Sequence, residues 1–195
     1  MSNSKHSASS KRRKNVKAKS RGKDAVALLR ADHAEVGALF AKLEKTRSES
    51  KKKDLAAEIC ISLSVHMRIE EDIFYPAVKQ ALKEKDKELV PEARVEHATL
   101  KQLISQVEDA SPDELFDARM QVMGEYVKHH VKEEQTEMFP KARASGVDLK
   151  VLGVKLAERK QELMSELGAK PGKAEHTQLP SSVFGEPLPA QHQHH

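Results

Sequence analysis

The sequence has little of what several large classes of protein require. It contains one cysteine, Cys60, among 195 residues, so it can form neither an intramolecular disulfide nor a zinc or iron–sulfur site built from cysteines. Tryptophan is absent and aromatic residues make up 4%, whereas 33% of residues are charged, a composition that favours helices over β-sandwiches. No apolar run approaches the roughly 18 residues of a membrane span, and no apolar segment follows the basic N-terminus as in a secretory signal. We therefore expect a cytoplasmic protein with no membrane partner.

The net charge of +4 is unevenly distributed along the chain. Residues 1–24 contain nine Lys and Arg residues and one acid, a balance of +8, so the rest of the chain carries −4. Residues 1–23 offer almost no apolar surface, and residues 170–195 are rich in Pro, Gly and Gln and end in QHQHH. Both segments are predicted to be disordered tails, which leaves residues 24–169 as the folded body.

Apolar residues in the body recur at spacings of three and four, which is typical of helices with one buried face. Pro91 and the pair Ser111–Pro112 are signals for the start of a third and a fourth helix. A fifth helix is expected over about residues 148–167, with Gly168 as its C-terminal stop. The pattern predicts an all-α fold: an up-and-down antiparallel four-helix bundle with a short fifth C-terminal helix and disordered tails.

The body repeats itself at an offset of 64 residues. The segment DHAEVGALFAKLE at 32–44 aligns with EHATLKQLISQVE at 96–108, and HMRIEEDIFYP at 66–76 aligns with HVKEEQTEMFP at 130–140. Each half of the body is therefore a helical hairpin that supplies one acidic–His dipeptide and one His-x-x-x-Glu segment.

Six polar residues of these segments fall on the apolar stripes, where core residues are expected. They are His33, His66, Glu70, His97, His130 and Glu134. Because a helix keeps one face inward at this spacing, we expect four imidazoles and two carboxylates in the bundle centre. Buried carboxylates need cations, and no Lys or Arg shares these stripes nearby, so a metal is the simplest partner. The set can serve two ions with both carboxylates as bridges, and its mixed N/O donors favour iron, manganese or zinc.

Rival motifs are absent, and one ambiguity stays open. Ferritin-like di-iron proteins use Glu-x-x-His and zinc peptidases use His-Glu-x-x-His, and neither motif occurs in the chain. A single His-x-x-x-Glu pair is most often a satisfied core pair, but six residues at one shared offset argue against that interpretation here. His129 and Glu133 form an overlapping pair, although the repeat register favours His130 and Glu134. Glu71 and Glu133 are expected on the solvent side.

The sequence resembles the hemerythrin-like, HHE cation-binding family in the segments ADHAEVGALF, HMRIEEDIFYPA, EHATL and HHVKEEQTEMFPKAR. The resemblance covers about residues 24–167. It implies a four-helix bundle that holds a non-haem di-iron centre, with the same six residues as ligands. The oxygen-carrying members use five histidines, with a His-x-x-x-His pair on the third helix. Lys101 stands where the second of that pair would be, which argues against reversible oxygen carriage.

Three classes of function follow from this sequence. The first is a metal-binding protein that binds or senses oxygen, nitric oxide or iron. The second is an enzyme that decomposes peroxide or handles another oxidant, for which the sequence offers no clear acid or base beyond the ligands. Tyr75 and Tyr126 are open to two interpretations: packing, which is the commoner role, or donation to a bound oxygen species. The third is a DNA-associated stress protein whose tail KRRKNVKAKSRGK contacts phosphates without sequence preference. Binding or sensing ranks first.

Overall fold

A computed structural model describes residues 22–108 and 114–167 of the chain. All regular structure in these ranges is helical. The α-helices are α1 (Ala25–Glu44), α2 (Glu49–Ile69), α3 (Tyr75–Ala81), α4 (Leu89–Glu108), α5 (Glu114–Glu133), α6 (Phe139–Ala144) and α7 (Leu149–Glu166). Two π-helical segments, Glu70–Phe74 and Glu134–Met138, join α2 to α3 and α5 to α6, and a 3-10 turn covers Glu84–Asp86.

The predicted all-α bundle with a fifth C-terminal helix is confirmed. Its long members are α1, the α2–α3 rod, α4 and the α5–α6 rod; α1 packs on α2, α4 packs on α5, and α7 covers α1 and α2. None of the described helices is both long and apolar enough to cross a membrane. The expectations for residues 1–21, for Ser111–Pro112 and for residues 168–195 lie outside the described residues.

The start of α1 is fixed by contacts from the C-terminal part of the body. Asp24 caps α1, since its Oδ1 accepts a hydrogen bond from the backbone N–H of Ala27 at 2.8 Å. The guanidinium of Arg143 donates to both carboxylate oxygens of Asp24, at 3.2 Å each. Gly153 of α7 lies against the same turn, where a Cβ would collide with the carbonyl oxygen of Lys23. The glycine therefore lets α7 approach the start of α1 backbone to backbone.

The core consists of two apolar clusters on either side of a buried polar layer. The first cluster contains the rings of Phe74 and Phe139 together with side chains of α7, and the second contains side chains of α1, α2, α4 and α5. Along α1, His33 of the polar layer lies between Leu29 of the first cluster and Val36 of the second. The polar layer is therefore shielded from solvent by apolar packing above and below it.

The two π-helical segments were not predicted from the sequence. The backbone N–H of Tyr75 donates to the carbonyl of Glu70, five residues back, and the same bond recurs between Phe139 and Glu134. In each case the next residue is proline, whose ring lacks an N–H and crowds the carbonyl four residues back in a regular α-helix. A wider turn relieves that conflict. It also brings the residue five positions after each glutamate back to the face of that glutamate.

Candidate metal centre

The structure brings all six predicted site residues together in the buried polar layer. Each is between 0 and 7% exposed, and they come from α1, the α2–α3 rod, α4 and the α5–α6 rod: His33, His66, Glu70, His97, His130 and Glu134. The neighbouring His129 lies outside the layer, with 61% of its side chain exposed. The inward stripe of α5 thus contains His130 and not His129, as the repeat register predicts.

The donor atoms form two groups that share Glu70. Within each group the candidate ligand atoms all lie within 4.8 Å of one another; the groups are His33, His66, Glu70 and Glu134, and Glu70, His97 and His130. The Nε2 atoms of His33 and His66, here called the first half-site, are 2.9 Å apart. Those of His97 and His130, the second half-site, are 3.1 Å apart. Such convergence of ring nitrogens and carboxylates is the arrangement a pair of ions with N/O ligands needs.

Each carboxylate reaches one histidine of each half-site. Oε2 of Glu70 lies 3.2 Å from Nε2 of His66 and 3.5 Å from Nε2 of His97. Oε2 of Glu134 lies 3.2 Å from Nε2 of His33 and 3.7 Å from Nε2 of His130. Both glutamates are therefore in position to bridge the two groups.

The protein's own groups leave the two carboxylates incompletely satisfied. Within the described residues, Oε1 of Glu70 and Oε2 of Glu134 are buried without a hydrogen-bond donor. Burial, and then the charge of Glu134, raises the pKa of Glu70 well above its usual range. Burial also opposes ionisation of Glu134, but contact with His33 and the charge of His130 outweigh it and lower its pKa. A cation between the carboxylates would satisfy both oxygens and the negative charge, so the donor set fits a metal site.

Tyr75 lies in the polar layer, where its hydroxyl contacts candidate ligands, which favours the donor role over packing alone. Its hydroxyl donates to Oε1 of Glu134 at 2.9 Å and lies 3.1 Å from Nε2 of His97 and 3.5 Å from Oε2 of Glu70. Burial and the charges of the two glutamates raise the pKa of Tyr75 well above its usual range, so the phenol keeps its proton. Tyr126, by contrast, is 39% exposed. The π-helical turn explains the difference, since it returns residue 75 to the face of Glu70.

The outer nitrogen of each histidine faces a residue from another helix. The pairs are His66 with Asp32 at 3.6 Å, His97 with Glu71 at 3.0 Å, His130 with Glu96 at 2.7 Å, and His33 with the amide nitrogen of Gln135 at 3.1 Å. The partners obey the repeat: two of them precede a ligand histidine in the sequence and two follow a ligand glutamate. A metal-ligating histidine donates its outer N–H to an acceptor, and the carboxylates facing His66, His97 and His130 suit that role, whereas the amide nitrogen of Gln135 is a donor toward His33.

Glu71 was expected on the solvent side, and this expectation was wrong. Its side chain is 15% exposed, and both of its oxygens accept hydrogen bonds from Nζ of Lys101 at 2.8 Å. Burial raises the pKa of Glu71, but the bonds from His97 and Lys101 outweigh it and lower the pKa to about 2. Lys101, at the position where the resemblance would place another histidine, therefore anchors the carboxylate that holds His97.

Helix α7 completes the support of the first half-site. Nζ of Lys160 donates to Oδ1 of Asp32 at 2.8 Å, while Oδ2 of Asp32 faces the outer nitrogen of His66. Burial raises the pKa of Asp32, but its contacts with His66 and Lys160 produce a net lowering. Burial lowers the pKa of His66 to about 4, so this imidazole stays neutral and available as a ligand near neutral pH.

The other histidine of the first half-site rests on an aromatic ring. Phe139 stacks on His33 with 5.7 Å between ring centroids and 7° between planes. Arg30 holds the adjacent turn, donating to the backbone carbonyl of Gln135 at 3.1 Å and to its side-chain oxygen at 3.2 Å. That carbonyl has no π-helical partner, because the residue five positions on is Pro140.

A small cavity of about 10 Å³ adjoins the centre. It touches His33, His66 and His130, and its remaining lining is apolar: Val36, Leu63, Met67, Leu100, Val127 and Val131. A space of this size is about the minimum that accommodates one water molecule. It therefore suits a very small ligand.

Fold and site together define a helical-bundle protein whose buried histidines and glutamates could hold metal ions. The chain belongs to the family of the hemerythrin HHE cation binding domain, whose family model matches residues 24–142. A crystal structure of a hemerythrin HHE cation binding domain-containing protein, the Rv2633c homolog from Mycobacterium kansasii, is similar in fold. It has a TM-score of 0.64 and 24% identity, covering 74% of this chain and 90% of that one.

A curated relative extends the comparison to a larger protein. The DNA nickase of Nostoc sp. is 28% identical over 117 residues, which cover 60% of this chain and 32% of the relative. The chain thus spans about a third of the length of that relative.

Proposed function

We propose that the chain holds two iron ions at His33, His66, Glu70, His97, His130 and Glu134, and uses them to bind or sense oxygen, nitric oxide or iron itself. Manganese and zinc suit the same donors and are the alternatives for the metal. The expected location is the cytoplasm. When bound, a pair of iron ions supplies redox change and coordination positions for small ligands.

One observation carries this proposal: two groups of buried His and Glu donors share Glu70, and the second carboxylate, Glu134, also reaches both half-sites. Four imidazoles and two carboxylates provide enough donors for two ions with positions left for small molecules. The cavity of about 10 Å³ beside three of the histidines supports a ligand no larger than a few atoms.

The test is metal content together with an optical spectrum, on full-length protein grown with iron and purified without a His tag or a nickel column. We expect about two irons per chain and the near-ultraviolet bands of a coupled ferric pair. The double variant His66→Ala/Glu70→Ala should lose both irons. Glu137→Gln is a matched control, since that exposed glutamate lies in the same π-helical turn as Glu134 but 54% of its side chain is exposed. Wild type that stays metal-free after anaerobic iron(II) reconstitution refutes the proposal.

Turnover of peroxide is the second candidate, and Tyr75 is the observation that favours it. The sequence left the role of Tyr75 open, and the structure places its buried hydroxyl among Glu70, His97 and Glu134. A phenol held protonated at that position can donate a proton to an oxygen-containing ligand.

Steady-state turnover of hydrogen peroxide separates catalysis from binding. If the protein is an enzyme of this kind, Tyr75→Phe should keep two irons and lose about a hundredfold or more in turnover, the usual scale of a positioned proton donor. Tyr126→Phe, at an exposed tyrosine, should leave turnover unchanged. Iron-loaded wild type that turns over peroxide no faster than the His66→Ala/Glu70→Ala variant removes this candidate.

Association with nucleic acid is the third candidate. The relative from Nostoc is by its name a DNA nickase, and residues 1–24 of this chain carry a balance of +8. A segment of that charge without aromatic residues would bind phosphates without sequence preference and with strong salt dependence. The test is a salt titration of duplex DNA binding by the protein with and without residues 1–23. Equal affinities of the two forms would exclude a role of residues 1–23 in DNA binding.

A further inference from the structure

One group of metal-ligating side chains lies outside the buried centre, on the surface formed by α4 and α5. Nε2 of His129 lies 3.2 Å from Oε1 of Glu133 and 3.6 Å from Oε1 of Glu96. The candidate ligand atoms of these three residues all fall within 4.8 Å of one another. His129 and Glu133 use the same His-x-x-x-Glu spacing that supplies the buried pairs, one residue earlier on the same helix.

The charge around this surface cluster is unbalanced. In the part of the chain that the structure describes, no Lys or Arg lies within ion-pair distance of Glu96 or Glu133, although such pairs are frequent elsewhere on the molecule. Glu92, one turn before Glu96, adds a third carboxylate within electrostatic reach of Glu133. Two carboxylates and an imidazole that converge, with no Lys or Arg paired to the carboxylates in the described residues, make a chelating N/O donor set.

The three side chains are accessible to an ion from solvent. Their side chains are 61% exposed for His129, 37% for Glu133 and 14% for Glu96. The cluster is therefore open to solvent on the side of α5, which carries His129 and Glu133. A bound ion would keep water at its remaining positions and would exchange readily, unlike one in the buried layer.

We propose that Glu96, His129 and Glu133 form an exchangeable surface site for one divalent first-row metal ion. The ion chemistry is that of manganese(II), iron(II) or zinc(II), which accept imidazole and carboxylate together.

Glu96 connects this surface site to the buried centre. Its Oε2 accepts a hydrogen bond from Nδ1 of His130 at 2.7 Å, while its Oε1 faces His129. A cation on Oε1 draws negative charge away from Oε2 and so weakens the support that Glu96 gives to His130. Occupancy of the surface site should therefore alter the metal held by the second half-site. This link rests on the proposed function, but the surface site itself does not.

The experiment titrates full-length, iron-loaded protein with manganese(II) and measures free manganese by electron paramagnetic resonance. The double variant His129→Ala/Glu133→Gln should bind one ion fewer than wild type, or bind it at least tenfold more weakly. Glu125→Gln, at another exposed glutamate of α5, is the matched control and should titrate like wild type. The terminal QHQHH segment also offers imidazoles, so the difference between variants is the quantity measured. Identical titrations of wild type and the double variant overturn the proposal.

Two further arms separate the surface site from the buried one. The variant His66→Ala/Glu70→Ala should keep the surface ion, so the site stands even if the buried centre fails to bind iron. Manganese should shift the near-ultraviolet bands of iron-loaded wild type but not those of His129→Ala/Glu133→Gln, with iron content unchanged. A surface ion that leaves the bands of wild type in place refutes the link through Glu96.

Discussion

The two half-sites are built on the same repeat, yet their surroundings differ. In the second half-site both histidines are backed by carboxylates, Glu71 and Glu96. In the first, one histidine faces Asp32 and the other faces the neutral amide of Gln135. Because outer carboxylates strengthen an imidazole as a ligand, two ions bound here would sit in unequal electrostatic environments. A repeated scaffold therefore does not by itself produce two equivalent metal positions.

The residues at equivalent positions of the two π-helical turns make the same point. Tyr75 places a hydroxyl among His97 and both glutamates, whereas Phe139, 64 residues later, stacks its ring on His33. One oxygen atom separates the two side chains, and it gives the second half-site a proton donor that the first lacks. We therefore expect the half-sites to differ in proton transfer as well as in charge.

The largest expected effect strikes both half-sites at once. Chelation should remove the ions from both half-sites and leave the six ionisable ligand groups buried without a metal. At a ligand concentration a thousandfold above Kd, native-state binding adds about 4 kcal/mol, or a shift on the order of 10 °C in Tm for a domain of this size. Calorimetry of loaded and chelated wild type measures the shift, and His66→Ala/Glu70→Ala should show none. A Tm of wild type that is unchanged by chelation would contradict a buried metal site.

The next largest effect concerns the stability of the chelated protein, to which His66 and His130 should give opposite dependences on pH. Burial lowers the pKa of His66 from 6.5 to about 4. Between those values only the unfolded chain binds the proton, so stability falls with falling pH by up to about 3 kcal/mol. For His130, burial alone would lower the pKa, but the bond to Glu96 gives a net rise. Its contribution is complete below pH 6.5 and is lost as pH rises through the raised pKa.

Urea unfolding across this pH range checks the two signs. His66→Gln should flatten the loss of stability on the acid side, and His130→Gln should remove the loss on the alkaline side. Parallel pH profiles for the two variants would show that the half-sites do not differ in this way.

Exchanging the residues that face the outer nitrogens of the histidines should change the difference in affinity between the two half-sites. Glu71→Gln gives His97 an amide partner like that of His33 and leaves Lys101 without its carboxylate. We expect the ion of the second half-site to bind 10- to 100-fold more weakly, the usual scale for such a change. Gln135→Glu should act in the opposite direction on the first half-site. Competition with a chelator of known affinity measures both, and equal affinities of wild type and Glu71→Gln would contradict the role of the carboxylate.

The smallest expected effect concerns the lysine that α7 supplies to the first half-site. Lys160→Ala removes the cation from Asp32 and should cost about 1 kcal/mol, since the ion pair is partly exposed to solvent. Lys155→Ala, at an exposed lysine of the same helix, is the control. Urea unfolding of loaded protein measures the difference, and a loss in the control equal to that in Lys160→Ala would mean that Asp32 needs no partner from α7.

The six inward residues could be predicted from sequence because spacing alone fixes the face of a helix. The π-helical turns could not be predicted in this way, because an apolar stripe fits an α-helical or a π-helical hydrogen-bond pattern. Only the position of the proline distinguishes the two patterns. The missed signal is the aromatic–Pro dipeptide five residues after each glutamate, in Tyr75–Pro76 and again in Phe139–Pro140. Without that turn, Tyr75 falls on the wrong side of the helix.

The outer partners of the histidines depend on how helices cross, which periodicity does not encode. Lys160 and Asp32, for example, are 128 positions apart in the sequence and meet only because α7 packs across α1. The repeat did hold a clue, since each partner adjoins a predicted ligand in the sequence. The clue identifies candidates, but the choice of which histidine each one supports requires the packed bundle.

The sharing of carboxylates between half-sites also bears on what one chain gains by carrying both hairpins. The hairpin of α1 and the α2–α3 rod carries two imidazoles and a carboxylate on one face, which is half of the centre. Two copies of such a hairpin, docked about a two-fold axis, would complete the same six donors. A chain with one such hairpin would need a second copy to complete the centre, whereas this chain carries both hairpins and can place different residues at equivalent positions, as with Glu71 and Gln135.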